Sequence, residues 1–260
     1  MGSTDSTNAN GVINGDYTAP AVQVTFDGLL FDMDGTIIDS TAAVEKHWGA
    51  IGKEIGVSPE VILETSHGRR SIDILRILAP EKATWEYVQD MEGRLPRLYG
   101  DDAVEIPGAR SLLLDLISKA APWAIVTSGT VPLVTGWLGV LDLPHPAHLI
   151  TAESVENGKP DPACYKLGRS RLSLTSPDKR VVVFEDSPAG IRSGKEAGCK
   201  VIGLVTSHTV EQVLSAEPDW VVRDLSSVRL VSTTTATGKD GKEVVTGITL
   251  EIKDGFAVKK

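Results

Sequence analysis

Only two cysteines, Cys164 and Cys199, occur in the 260 residues, and they form no CxxC pair. A disulfide framework is not expected, and both thiols fit buried positions in a reducing compartment. No run of 18 apolar residues is present, so no membrane-spanning helix and no membrane partner are expected. The first residues lack the basic and apolar regions of a secretory leader, which makes a cytoplasmic protein the expectation. Met1-Gly2-Ser3-Thr4-Asp5-Ser6 matches the loose N-myristoylation pattern, but the polybasic or second-lipid signal that stable anchoring requires is missing. Basic side chains are outnumbered, 26 against 35, giving a net charge of −9. Wrapping a nucleic-acid backbone takes many Lys and Arg contacts. No nucleic-acid partner is therefore expected, and a phosphorylated ligand must be held by a few local groups.

With 41% hydrophobic residues the chain can bury one large core, or a core with a smaller inserted domain. Residues 1–22 are rich in Ser, Thr, Asn and Gly and read as a disordered leader. Short continuous apolar runs follow at Gly28–Phe31, Trp123–Thr127, Leu149–Thr151, Val181–Phe184, Val201–Val205 and Trp220–Val222. Such runs mark strands covered on both faces, and helical spacing between them predicts a parallel sheet with crossover helices. Asp161-Pro162 and Ser187-Pro188 punctuate helix starts, and Gly198 a helix end. Between residues 40 and 105 only helical spacing occurs, which predicts a helical insert within a core formed by 23–39 and 106–260. After Arg229 two Thr- and Val-rich stretches flank Lys239-Asp240-Gly241-Lys242, the pattern of a hairpin.

Four local constellations carry chemistry. Asp32 and Asp34 leave the end of the first buried strand, before Gly35, and point beyond the carboxyl edge of the sheet, where open α/β sheets bind ligands. Glu185-Asp186-Ser187 leave another buried strand. Were those strands neighbours, the converging carboxylates would repel unless a hard cation joined them, and an all-oxygen set favours Mg²⁺ over Zn²⁺. Thr127-Ser128-Gly129-Thr130 sits where a strand meets a helix N-terminus, a place for an anion. Lys159 lies between Gly158 and Pro160, at the start of a further helix.

In order and spacing these four resemble the haloacid dehalogenase (HAD) superfamily, over roughly residues 22–260. The resemblance implies an α/β fold with a HAD-like Rossmannoid three-layer parallel-sheet core and an inserted α-helical cap at 40–105. It implies that Asp32 is the nucleophile and Asp34 the general acid/base. Mg²⁺ would be held by Asp32, Asp34, Asp186 and Glu185, with Lys159 a second positive charge. Thr127, Ser128 and Gly129 would bind the phosphate. The second acid of the first motif, Asp34, points to a phosphatase or a sugar phosphomutase.

Further residues resemble the branch that holds glycerol-phosphate and 2-deoxyglucose-6-phosphate phosphatases. They are Ser66-His67-Gly68 with Arg70, Glu92-Gly93 before Pro96 and Tyr99-Gly100, and the run from Val182 to Ile191. The implied activity is hydrolysis of a small polyol or sugar phosphate monoester, foremost glycerol 1-phosphate or 3-phosphate. Alternatives are 2-deoxyglucose 6-phosphate, mannitol 1-phosphate and, as a different reaction, sugar phosphomutation. His67 and Arg70 are then expected to touch phosphate or substrate hydroxyls, with Glu92 beside them and Arg69 a selectivity position. The small-molecule ester is the only partner expected, and the chain is expected to be a monomer. The tryptophans and the other histidines, among them His47 and Trp48, show no cage or metal spacing and read as packing and surface residues. Linkers near Asp39–Thr41 and Glu105–Gly108 are expected to let the cap open and close.

Overall fold

Apolar residues with no polar alternation need cover on both faces, and the strands at the centre of the molecule have it. The computed structural model describes residues 17–66, 68–238, 241–253 and 255–256. In chain order the elements are β1 (Val22–Phe26), β2 (Gly28–Phe31), β3 (Ile38–Asp39), α1 (Thr41–Ile55), α2 (Pro59–Ser66), α3 (Ser71–Leu78) and α4 (Trp85–Leu98). There follow β4 (Val104–Glu105), α5 (Ala109–Ser118), β5 (Trp123–Val126), α6 (Val131–Val140), β6 (Leu149–Ile150), α7 (Ala163–Arg171) and β7 (Val181–Glu185). The chain continues through α8 (Pro188–Glu196), β8 (Lys200–Leu204), α9 (Val210–Ser215), β9 (Trp220–Val222), β10 (Val228–Thr237) and β11 (Glu243–Ile252).

Six strands form one sheet in the order β6-β5-β2-β7-β8-β9, all pairs parallel. Its side chains alternate between two cores. Leu29, Phe31, Trp123, Ile125, Val182 and Phe184 enter one, and Leu30, Ala124, Val126, Val181 and Val183 the other. This alternation is the physical reason for the uninterrupted apolar runs. Phe31 and Phe184 stack across β2 and β7 with centroids 4.4 Å apart. Cys164 and Cys199 are buried and free.

The helices α1 to α4 gather around a core of their own, with Trp48, Ile51, Ile62, Ile72, Leu75, Val88 and Met91. The chain enters and leaves this helical unit through β3 and β4, which pair antiparallel, Ile38 with Glu105 and Asp39 with Val104. Two-residue strands carry no periodic signal, and sequence reading takes both as plain linkers.

The hairpin of β10 and β11 forms as expected, while Lys239 and Asp240 of its turn lie outside the described residues. It recruits β1 into a three-stranded antiparallel sheet of order β1-β11-β10. The sequence predicts a strand at Gly28–Phe31 and none before it; Asp27 separates β1 from β2, its carboxylate accepting from the Arg180 N–H at 2.7 Å and the Lys179 ammonium at 3.0 Å. The expected leader boundary at residue 22 also shifts. Ala19 bridges Gly255, and Tyr17 packs edge-on against Phe256, because the end of the chain offers them a partner that composition does not reveal. Residues 1–16 lie outside the described residues. Among those described, no helix is long and apolar enough to cross a membrane.

Candidate active site

The site lies at the carboxyl edge of the sheet, where β5, β2 and β7 end side by side. Asp32 continues the β2 ladder, donating its N–H to the Phe184 carbonyl at 3.0 Å, so its side chain emerges next to Glu185 and Asp186. Gly35 then turns with φ of +84°, a region that glycine enters without steric penalty. A Cβ there would also collide with the Asp186 carboxylate. Thr36 and Ser207 donate hydroxyl hydrogen bonds to Asp186, and Ser40 donates to Asp34 Oδ1 at 2.6 Å.

Lys159 closes the base of the site. Its ammonium donates to Asp32 Oδ1 at 2.5 Å, Glu185 Oε1 at 2.7 Å and the Val126 carbonyl at 3.3 Å. Glu185 is fully engaged: Tyr165 donates to Oε1, and the N–H and hydroxyl of Ser187 to Oε2. Burial alone would lower the Lys159 pKa, but the charges of Asp32 and Glu185 more than reverse this. Asp32 is pushed well up by burial, pulled back by Lys159 and pushed again by Glu185 and Asp186. Burial also raises Asp34, with the Ser40 hydrogen bond opposing and the Asp186 charge reinforcing.

On the other side of Asp32, Thr127 and Ser128 follow β5. Thr127 Oγ1 accepts the Gly129 N–H at 3.0 Å, and Ser128 donates to the Gly68 carbonyl at 2.9 Å. The Thr130 N–H, expected to be open to an anion, is instead held by Glu92 at 2.7 Å. Likewise Val131, the first residue of α6, gives its N–H to Glu153. This loop thus leaves fewer amides open to an anion than helix position alone implies.

Asp32, Asp34, Asp186, Thr127, Ser128, Gly129 and Glu92 all line one cavity of about 100 Å³. That is small beside the roughly 300 to 1,000 Å³ of sites for drug-sized ligands. Lys159 and Glu185 lie buried beneath it. Arg70 is not part of it, contrary to expectation. Its guanidinium is committed to Asp73 and to the carbonyls of Ala152, Val155 and Glu156, because a buried arginine must place its donors. The neighbouring Arg69 reaches the cavity instead. His67 lies outside the described residues. The cavity also takes in Thr41, Val44, His47 and Trp48 from α1, with Ser71 and Ser207. The sequence predicts packing and surface roles for His47 and Trp48, and their three- and four-residue spacing with Thr41 and Val44 is the signal of a common face.

The donor chemistry fits a hard divalent cation. Asp32, Glu185 and Asp186 are buried and present carboxylate oxygens within 4.8 Å of one another. With Asp34, four acids face one ammonium, and buried excess negative charge calls for a counter-ion.

A six-stranded parallel sheet with acids at the ends of β2 and β7, hydroxyls after β5 and a lysine between them has a counterpart among known families. The model described as haloacid dehalogenase-like hydrolase matches residues 29–204. The chain belongs to this family. This HAD-like hydrolase is 38% identical over 221 residues to glycerol-1-phosphate phosphohydrolase 1 of Saccharomyces cerevisiae, covering 82% of this chain and 88% of that one. It is 38% identical over 222 residues to 2-deoxyglucose-6-phosphate phosphatase 1 of the same yeast, covering 79% and 90%. Among solved structures, a hydrolase from Pseudomonas syringae superposes with a TM-score of 0.64 at 22% identity, covering 76% of this chain and 94% of that one. That likeness concerns the fold alone.

Proposed function

We propose that the protein is a Mg²⁺-dependent phosphatase that hydrolyses a small polyol or sugar phosphate monoester, foremost glycerol 1-phosphate or glycerol 3-phosphate. The observation that carries this reading is the placement of Asp32 at the floor of a small cavity, tied to Lys159 and flanked by Asp34 and Thr127. Likeness to the two yeast phosphatases supports the substrate class, and the cavity size supports a short carbon skeleton.

Asp32 attacks phosphorus through a carboxylate oxygen. At ~4 Å and an effective dielectric of ~20, a carboxylate and a phosphate dianion repel by about 8 kcal/mol, so positive charge must be built in. Lys159 supplies one such charge. Asp32, Asp186 and the Asp34 backbone carbonyl, with Glu185 behind them, would hold Mg²⁺, which when bound supplies further charge against that repulsion. Thr127 and Ser128 orient the non-bridging oxygens. As the ester P–O bond breaks, Asp34 gives its proton to the departing alkoxide, a task suited to a carboxyl whose pKa burial raises. Asp34 then takes a proton from water, the water oxygen bonds to phosphorus, and the acyl phosphate P–O bond breaks to restore Asp32.

The test is phosphate release from glycerol 1- and 3-phosphates, 2-deoxyglucose 6-phosphate, mannitol 1-phosphate and 4-nitrophenyl phosphate, with Mg²⁺ or EDTA. Release is expected only with Mg²⁺ and is expected to fall roughly 10³-fold or more in Asp32→Asn. Turnover that persists in Asp32→Asn overturns the covalent route.

A further inference from the structure

The wall that α1 contributes to the cavity holds an imidazole that the chemistry above does not use. Thr41, Val44, His47 and Trp48 occupy one helical face and line the cavity together. His47 is only 5% exposed, and its Nε2 has no hydrogen-bond partner among the described residues. Its aromatic neighbour is Trp48, edge-on at 5.8 Å. Burial, with the positive charge of Arg94, lowers the imidazole to about 4. The ring is therefore uncharged at neutral pH and offers one donor and one acceptor nitrogen.

A neutral ring of this kind is ill suited to a phosphate dianion and well suited to a hydroxyl. Its position agrees. Ser40, just before α1, donates to Asp34, which fixes the start of the helix beside the reacting carboxylates. His47 lies six residues beyond Thr41, about 9 Å farther along the axis at ~1.5 Å per residue. With Asp32 and His47 lining one cavity and His47 set well along α1 from Ser40 and Asp34, a ligand with its phosphorus at Asp32 would present its carbon skeleton to this ring. A buried polar atom left unpaired destabilises the fold, and an apolar side chain of the same shape would not. A group held at such a cost is explained when a ligand completes it.

We propose, on the basis of the phosphatase reading above, that His47 is a specificity-determining residue that hydrogen-bonds a hydroxyl at the far end of the substrate's carbon skeleton. The substrate class is thereby narrowed to polyhydroxylated aliphatic esters, against aryl or plain alkyl ones.

Two variants separate this role from packing. His47→Phe keeps a ring and removes both nitrogens, whereas His47→Gln keeps a polar end. In His47→Phe, kcat/KM for glycerol 1-phosphate is expected to fall roughly 10- to 100-fold, chiefly through KM, with 4-nitrophenyl phosphate changed less than about twofold. His47→Gln is expected to recover part of the loss. The melting temperature of His47→Phe is expected to hold or to rise by roughly 2 to 4 °C, where a histidine kept for packing would show a fall. A readout without turnover accompanies these: the imidazole NMR signals of His47 in Asp32→Asn should move on addition of glycerol 1-phosphate and stay put with inorganic phosphate. Equal losses on both esters, no loss on either, or an imidazole signal indifferent to glycerol 1-phosphate overturns the proposal. Absence of phosphate release from every ester by the unmutated protein overturns the phosphatase reading instead, and the imidazole titration still decides the role of His47.

Discussion

The Glu92 carboxylate, on helix α4 of the cap, accepts the backbone N–H of Thr130 in the core at 2.7 Å. Its other oxygen accepts the Ser71 hydroxyl at 2.5 Å. One buried side chain thus joins the cap to the loop that carries Thr127 and Ser128, and burial pushes its pKa up to about 7, against both hydrogen bonds.

This shift makes stability depend on pH in a stated direction. Between the ordinary 4.5 and about 7 the folded protein keeps a proton at Glu92 that the unfolded chain has lost. Stability therefore falls as pH rises through that window, by about 3 kcal/mol in full at ~1.4 kcal/mol per unit. Glu92→Gln removes the penalty while keeping an acceptor for Thr130. In urea unfolding, the variant is expected to gain about 2 to 3 kcal/mol on the unmutated protein between pH 5 and pH 8. A difference that does not change with pH would refute the buried-carboxyl account.

Arg70 is expected to act on the cap and not on the phosphate. Its guanidinium ties the cap to the carbonyls of Ala152, Val155 and Glu156, a fork that lysine cannot reproduce. Arg70→Lys should raise KM roughly 3- to 10-fold with kcat nearly constant, and hydrogen exchange over residues 152–156 should quicken. A collapse of kcat with unchanged exchange would instead put this guanidinium on the substrate.

Lys159 is the one ammonium hydrogen-bonded to both Asp32 and Glu185 among the described residues. Lys159→Met leaves buried carboxylates without their counter-charge, which costs about 3 to 5 kcal/mol. Proton uptake by Asp32, whose carboxyl burial already pushes well up, relieves the repulsion, so the deficit should shrink from pH 7.5 to pH 5. Added Mg²⁺ should narrow it as well at pH 7.5, and EDTA should restore it. Thermal unfolding of the variant and the unmutated protein under the four conditions checks each statement.

Gly35 combines a left-handed backbone with contact against Asp186. Gly35→Ala should cost about 1 to 3 kcal/mol in strain, and the displaced Asp186 should weaken Mg²⁺ binding first. A titration of activity against Mg²⁺ shifted to higher concentration is the expected result. An unshifted titration would mean that Asp186 keeps its place.

Much of this arrangement is written locally. Gly28–Phe31 announces a doubly covered strand, Asp32-Met33-Asp34-Gly35 its functional end, and Ser187-Pro188 the start of α8. What pairs across distance is not: no spacing brings Lys159 to Asp32, 127 residues away, and only the family resemblance joined them. Arg70 carries the charge a phosphate wants, yet its five donors are satisfied by Asp73 and three carbonyls whose position depends on tertiary folding. His47 looks like any residue on an apolar helical stripe, since a stripe facing a small cavity and one facing a core share the same periodicity. The strands β3 and β4 are too short for a period, and β1 finds its partner only in β11, more than two hundred residues later.

The ribbon of β3 and β4 has a mechanical meaning of its own. Both crossings between core and cap run through it and are bonded to each other, Ile38 to Glu105 and Asp39 to Val104. A lid on two separate tethers can slide, twist and tilt, whereas a lid on one stiff strap swings through a single arc. Any opening of the helical unit is therefore expected to follow one arc and to return Arg69 and His47 to the cavity they share with Asp32 and Asp186.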